Sequence, residues 1–198
     1  MLSPGYHDVA RGQLATVVTC LEMVAPPRPL RETRPANWTF RRVEAPAADW
    51  YRDLFRRVGE PYLWSSRLTI GTAELRALLS DSLVEVYALA RDGRDEGLLE
   101  LDFRVAGECE LTFLGLSPQL AGSGAGKSLM NRAQARVWSG PIRVRRFWVH
   151  TCTLDHPGAL RFYERAGFRP FKAQVEIFDD PRTSGVLPRT ASPNVPLI

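Results

Sequence analysis

The chain has 198 residues, 44% hydrophobic and 24% charged, with a formal net charge of +4. That length gives one core of useful size and leaves no room for a multidomain array. No apolar run approaches the roughly 18 residues that span a bilayer, and the charge is a small excess of 26 basic over 22 acidic residues scattered among them, so neither a membrane nor a nucleic acid is expected as partner.

Residues 14–24 form a first expected strand. Its apolar run LATVVTCLEMV is broken by Glu22 and has neither a basic leader nor a small-residue cleavage site, so no secretory signal is read and a cytoplasmic location is expected. A Pro-rich connector follows to residue 37, which makes 1–37 an N-terminal strand and connector ahead of a domain at 38–178. Within the domain, WTFRRV (38–43) is a short strand. A helix begins near Pro46, with Trp50, Leu54 and Val58 every four residues and Tyr51 and Phe55 alongside, and Gly59 ends it.

After the aromatic loop EPYLWSSR (60–67), Thr72 is the expected cap of a helix to about Ser80. Strands are expected at 83–91, 97–105 and 109–116, separated by the turns DGRDEG and AG. A helix from about Gly122 to Trp138 places Leu129, Ala133 and Val137 on one face, and SGP ends it. RRFWVHTC (145–152) reads as a strand, PGALRFYERAG (157–167) as a short helix and PFKAQVEIF (170–178) as a last strand, with an irregular tail at 179–198. Loose alternation of strands and helices implies an α/β fold, a mixed sheet in a single domain.

Cys20, Cys109 and Cys152 have no metal-ligand spacing and read as reduced thiols. His7, His150 and His156 share no repeated spacing, so no metal is expected. The densest basic patch, Arg143, Arg145 and Arg146, reads as a solvated strand entrance.

The stretch AGSGAGKS (121–128) is the chemical centre of the sequence. A glycine-rich turn between a strand and a helix makes an anion site, because first-turn amides lack intrahelical partners and sit at the positive end of the helix dipole. Gly122, Gly124 and Gly126 allow close approach to the backbone. A P-loop NTPase shares that physics. It also needs a Lys, a Mg²⁺-binding Ser and a later acid ending an apolar strand, and Ala121 stands where its first Gly belongs.

The neighbours favour another reading. CELTFLGLSPQLAGSGAGKSLMNRA (109–133) resembles the central cofactor motif of the general-control-related N-acetyltransferases, the GNAT superfamily. TLDHPGALRFYERAGF (153–168) resembles that superfamily's downstream segment, with His156 where Asn is common. The resemblance covers about residues 83–178 and, with VGEPYLW, looks like a bacterial subgroup of unassigned substrate. It implies a mostly antiparallel GNAT-like sheet with flanking helices, in which one strand splays from its neighbour.

It further implies acetyl-CoA as co-substrate, held by the backbone of Leu114, Gly115 and Leu116 and by the turn of Ala121, Gly122, Ser123, Gly124, Ala125 and Gly126. His156, Ala159 and Phe162 would complete that site. Ala121 departs from the usual Arg or Gln. Glu110, expected on the same strand face as Thr112 and Leu114, is the candidate base, its pKa raised by apolar surroundings. Tyr163 is the candidate proton donor to the leaving thiolate, and Gly115 the expected bulge. His150 reads as a sheet member, and Asp155 or His156 as the cap of the short helix.

In the aromatic loop, Tyr62 and Trp64 are candidate acceptor contacts, and Arg67 is a candidate to hold an acceptor carboxylate. The expected function is acetyl transfer to the primary amine of a small or amino-acid-like molecule, by a monomer or homodimer. A non-catalytic CoA-binding regulatory module is the alternative.

Overall fold

The computed structural model describes residues 2–31, 35 and 37–198; residues 32–34 and 36 of the Pro-rich connector lie outside the described residues. Seven strands form one sheet: β1 Gln13–Met23, β2 Trp38–Val43, β3 Val84–Arg91, β4 Arg94–Asp102, β5 Glu108–Leu116, β6 Arg146–Cys152 and β7 Arg169–Asp179. Their order is β2-β3-β4-β5-β6-β1-β7. Every neighbouring pair is antiparallel except β5–β6, which is parallel. The fold is thus α/β with a mixed, mostly antiparallel sheet and flanking helices. β1 is inserted between β6 and β7 although both lie more than 120 residues away in sequence.

Helix α1, Ala48–Gly59, buries Tyr51, Leu54, Phe55 and Val58 against Val86, Ala88 and Leu98 of the sheet. On the opposite face, Leu129, Ala133 and Val137 of α4, Ala125–Ser139, pack with Leu99, Leu101, Leu111 and Phe147. Two short helices follow α1, α2 at Ser66–Thr69 and α3 at Thr72–Leu79, and α5, Ala159–Arg165, precedes β7. Three layers therefore enclose two apolar cores, one on each side of the sheet. Among the described residues, no helix is long and apolar enough to cross a membrane.

Several local readings change. β4 starts at Arg94, because the hairpin turns on Asp92 and Gly93 alone, with φ of 52° and 81°. Such left-handed pairs match the twist of the flanking strands. Helix α3 has no side-chain cap, since the Thr72 hydroxyl instead accepts a hydrogen bond from Arg52 at 3.0 Å. The tail is a packed strap. Arg182 pairs with Asp180 at 2.7 Å, both side chains 2% exposed, and donates to the carbonyl of Val195. Leu187 and Ala191 bury against Leu63 of the aromatic loop.

Candidate active site

The site begins where β5 and β6 part. They pair only from Glu108 opposite Arg146 to Glu110 opposite Trp148, whereas β5 stays paired with β4 as far as Leu116 opposite Gly97. Past Glu110, the β6-facing edge of β5 has no strand partner among the described residues, and a buried backbone edge needs a hydrogen-bonding partner. A cleft of about 680 Å³ fills the opening.

The β5 bulge lies at Thr112, not at Gly115: Leu101 faces Leu111 and Glu100 faces Phe113, leaving Thr112 unmatched. An extra residue shifts the pleat by one. Leu114 and Leu116 therefore pack into the α4 core, while Phe113 joins the α1 core. Glu110 does not share its face with Leu114 as alternation alone implied. Gly115 has a different task. A Cβ there would stand 3.0 Å from both the Trp64 indole and Val58, so glycine makes the slot in which Trp64 lies.

At the far end of β5 comes the glycine turn. Gly122 and Gly124 have φ of 73° and 89°, and Gly124 immediately precedes α4. A Cβ at either would meet no protein atom within 4 Å, so backbone conformation alone requires glycine. Ser123 braces the turn: its hydroxyl donates to the Leu120 carbonyl at 2.6 Å and accepts from the Ala125 amide at 3.3 Å. The Lys127 amide is taken by the Gly124 carbonyl at 3.1 Å. The amides of Gly122, Gly124 and Gly126 have no acceptor among the described residues. These three glycines line the cleft with Ala121, whereas Ser123 and the buried Ala125 support it from behind.

Opposite the turn, α5 contributes Ala159, Phe162 and Tyr163 to the cleft wall. Burial and then the nearby Asp155 charge push the Tyr163 phenol well above its ordinary pKa, so it holds its proton at neutral pH. His156 also lines the cleft, and its Nδ1 accepts from the Gly158 amide at 3.0 Å. Asp155 does not cap α5. Its carboxylate accepts from Thr151 Oγ1 at 2.7 Å, the Cys152 amide at 2.9 Å and Trp64 Nε1 at 3.0 Å.

Glu110 sits at the fork of the two strands and is not on the cleft wall; its carboxylate lies 3.9 Å from Nε2 of His150, which is. Burial first, then the negative charge of Asp102, raises its pKa from 4.5 to about 7; Arg67 opposes them. Tyr62 and Trp64 line the other side, and Tyr62 meets His156 edge-on with ring centres 6.4 Å apart. Arg67 is a correction. It is absent from the cleft wall, and its guanidinium pairs with buried Glu100 at 2.7 Å and lies over the Phe113 ring at 5.0 Å. Its charge is already matched within the protein, so it is not the hold for an acceptor carboxylate.

Sequence reasoning missed Asp155 as the link between Trp64 and β6, and it missed Glu176 and Phe178 of β7 on the cleft wall. Lys127, beside the glycine turn, also lines the cleft. Nothing local marks the roles of Asp155, Glu176 and Phe178, because each depends on a neighbour distant in sequence.

A family model described as "Acetyltransferase (GNAT) family" matches residues 47–168. No curated protein sequence matches the chain. Among solved structures, a GCN5-related N-acetyltransferase from Sphaerobacter thermophilus superposes with a TM-score of 0.63 at 16% identity, covering 88% of this chain and 53% of that one. Another, from Kribbella flavida, gives 0.54 at 20% identity, covering 86% and 60%. An aminoglycoside acetyltransferase from an uncultured soil metagenomic sample gives 0.54 at 15%, covering 66% and 88%. At these identities the likeness is one of fold. The chain spans between about half and two-thirds of the length of the first of these structures.

Proposed function

The chain belongs to the GNAT acetyltransferase family, and from that premise we propose that it moves an acetyl group from acetyl-CoA directly to the primary amine of a small molecule. The observation that carries this reading is the parting of β5 from β6 onto a glycine turn with three acceptor-free amides. The residues fit the co-substrate. The free edge of β5 suits an extended amide-bearing arm, and the open space over Gly122 and Gly124 suits a diphosphate. Ala159 and Phe162 supply apolar surface beside them.

Acetyl-CoA supplies an acyl group activated as a thioester, and the remaining work falls to the chain. Backbone amides near Leu114–Leu116 polarise the acyl carbonyl. Glu110 takes the proton of the acceptor ammonium; a carboxyl that titrates near pH 7 is a better base than one at 4.5, because its conjugate acid is weaker. Glu110 itself lies off the cleft wall, and His150, 3.9 Å away, lines it. The amine nitrogen bonds to the acyl carbon as the carbon–sulfur bond breaks. Tyr163, protonated at neutral pH, gives its proton to the departing sulfur, and its phenolate, made strongly basic by burial, takes the proton that the new amide nitrogen sheds. Tyr62 and Trp64 form the acceptor wall. The cleft carries the carboxylates of Asp155 and Glu176, with Lys127 beside the glycine turn, and lacks Arg67, which favours a cationic amine over an amino-acid carboxylate.

The test is calorimetric titration with acetyl-CoA, followed by a free-thiol assay over a panel of small amines with products identified by mass spectrometry. Binding with thiol release and an N-acetyl product supports the reading. Tight CoA binding with no turnover on any amine would instead indicate a regulatory module, and Mg²⁺-dependent ATP binding that Lys127→Ala abolishes would restore the NTPase.

A further inference from the structure

One edge of β7 pairs with β1, and the other has no strand partner among the described residues. Every residue of Arg169–Asp179 is exposed except Phe178, which is half-buried. Val175 and Ile177 are 48% and 54% exposed beside Val17 at 49%, its cross-strand neighbour. A long edge with apolar side chains is a template for pairing, which proteins ordinarily block with prolines, bulges or charges. Here Pro170 and the irregularity opposite Cys20 and Leu21 guard only the first residues. From Lys172 to Asp179 the strand runs in regular register with β1.

We propose that a second copy of this chain docks on this edge, β7 pairing antiparallel with β7 about a two-fold axis at Gln174, so that two sheets join into one. The charge pattern identifies the occupant. A two-fold antiparallel pair can bring opposite each other only residues on the same face of the strand. With the axis at Gln174, inside the regular stretch of β7, Lys172 of each copy faces Glu176 of the other. Ala173 then faces Val175. Moving the axis by one residue sets Lys172 opposite Gln174 or Phe178 instead, and the charge match vanishes. Lys172 and Glu176 form no ion pair within their own chain among the described residues. A strand that is its own charge complement when reversed fits a second copy better than an unrelated peptide. Glu176 and Phe178 also line the cleft, so the interface borders the site and brings Lys172 of the second copy to its rim.

Carbodiimide coupling of the full chain, with sedimentation in parallel, tests this directly. Lys127 and Lys172 are the only lysines. Within one strand Lys172 and Glu176 lie about 13 Å apart, at roughly 3.3 Å per residue, beyond a zero-length link. A Lys172–Glu176 crosslink therefore reports two copies. The expected result is a dimer carrying that crosslink. Lys172→Glu should raise the dimer dissociation constant on the order of tenfold, from two like-charge pairs replacing two attractive ones, and adding Glu176→Lys should restore it to within about threefold. A monomer at about 100 μM, or a dimer indifferent to both charge changes, overturns the proposal.

Discussion

Replacing Glu110 by glutamine separates catalysis from stability in opposite directions. The carboxyl is half-buried at the strand fork, and desolvation followed by the Asp102 charge lifts its pKa from 4.5 to about 7. As base it works only when ionised, so kcat/KM of the wild type rises with pH and levels off above about 7. The acceptor amine titrates as well, but equally in both proteins. The ratio of wild-type to variant rates should therefore be flat above pH 7, at about 10²–10⁴, and should shrink about tenfold per pH unit below it. Stability should move the other way. A carboxyl with a raised folded pKa favours the fold fully below its unfolded value near 4.5 and loses that contribution as pH rises through about 7. The full displacement sets a ceiling of about 3 kcal/mol, which solvent screening of this partly exposed group reduces to about 1–2 kcal/mol. Glu110→Gln should accordingly raise Tm by about 3–6 °C at pH 8 and leave it unchanged at pH 4. A variant with wild-type rates at every pH would remove Glu110 from the mechanism; an unchanged Tm at pH 8 would refute the desolvation argument.

Tyr163→Phe should lower kcat by about 10–100-fold, with acetyl-CoA affinity by calorimetry unchanged, since only the proton donor is lost; equal loss of affinity would assign Tyr163 to binding. Gly124→Val places a branched side chain at a φ of 89° and should cost about 1–2 kcal/mol in thermal unfolding. Because a Cβ there meets no protein atom within 4 Å, a further loss of acetyl-CoA affinity of about tenfold or more would come from the occupied cleft, and full affinity would place the diphosphate elsewhere. Arg182→Ala leaves buried Asp180 without its partner and should cost about 3–5 kcal/mol, read as a fall in Tm; a neutral result would mean the strap contributes nothing to the fold.

Local pattern carried the reading of the elements and failed wherever a partner lies far along the chain. The four-residue spacing of Trp50, Leu54 and Val58 marks α1 because burial on one face needs no knowledge of what lies opposite. Glycines at 122 and 124 mark the turn because left-handed backbone excludes other residues locally. Arg67 shows the limit. An arginine in an aromatic loop looks the same whether its carboxylate belongs to a ligand or to Glu100, 33 residues on. The bulge at Thr112 was hidden too, since it is defined by the register of β4 against β5. The place of β1 in the sheet likewise follows from pairing and from nothing in its own eleven residues.

The same long-range logic explains how the cleft stays open. Where β5 and β6 cease to pair they forfeit the backbone hydrogen bonds that would keep them at a fixed spacing, and another tie must take over. Trp64 supplies it. Its indole fits between Gly59, where a Cβ would lie 2.7 Å from it, and Gly115, and it packs on Phe55 and Phe113 with ring centres 5.7 and 5.1 Å away. Its Nε1 then crosses to Asp155, whose other oxygen holds the Thr151 hydroxyl and the Cys152 amide at the end of β6. One side chain thus anchors the α1 layer to β6 on the far side of the opening. Two glycines distant in sequence are required for a single reason, the room that indole needs.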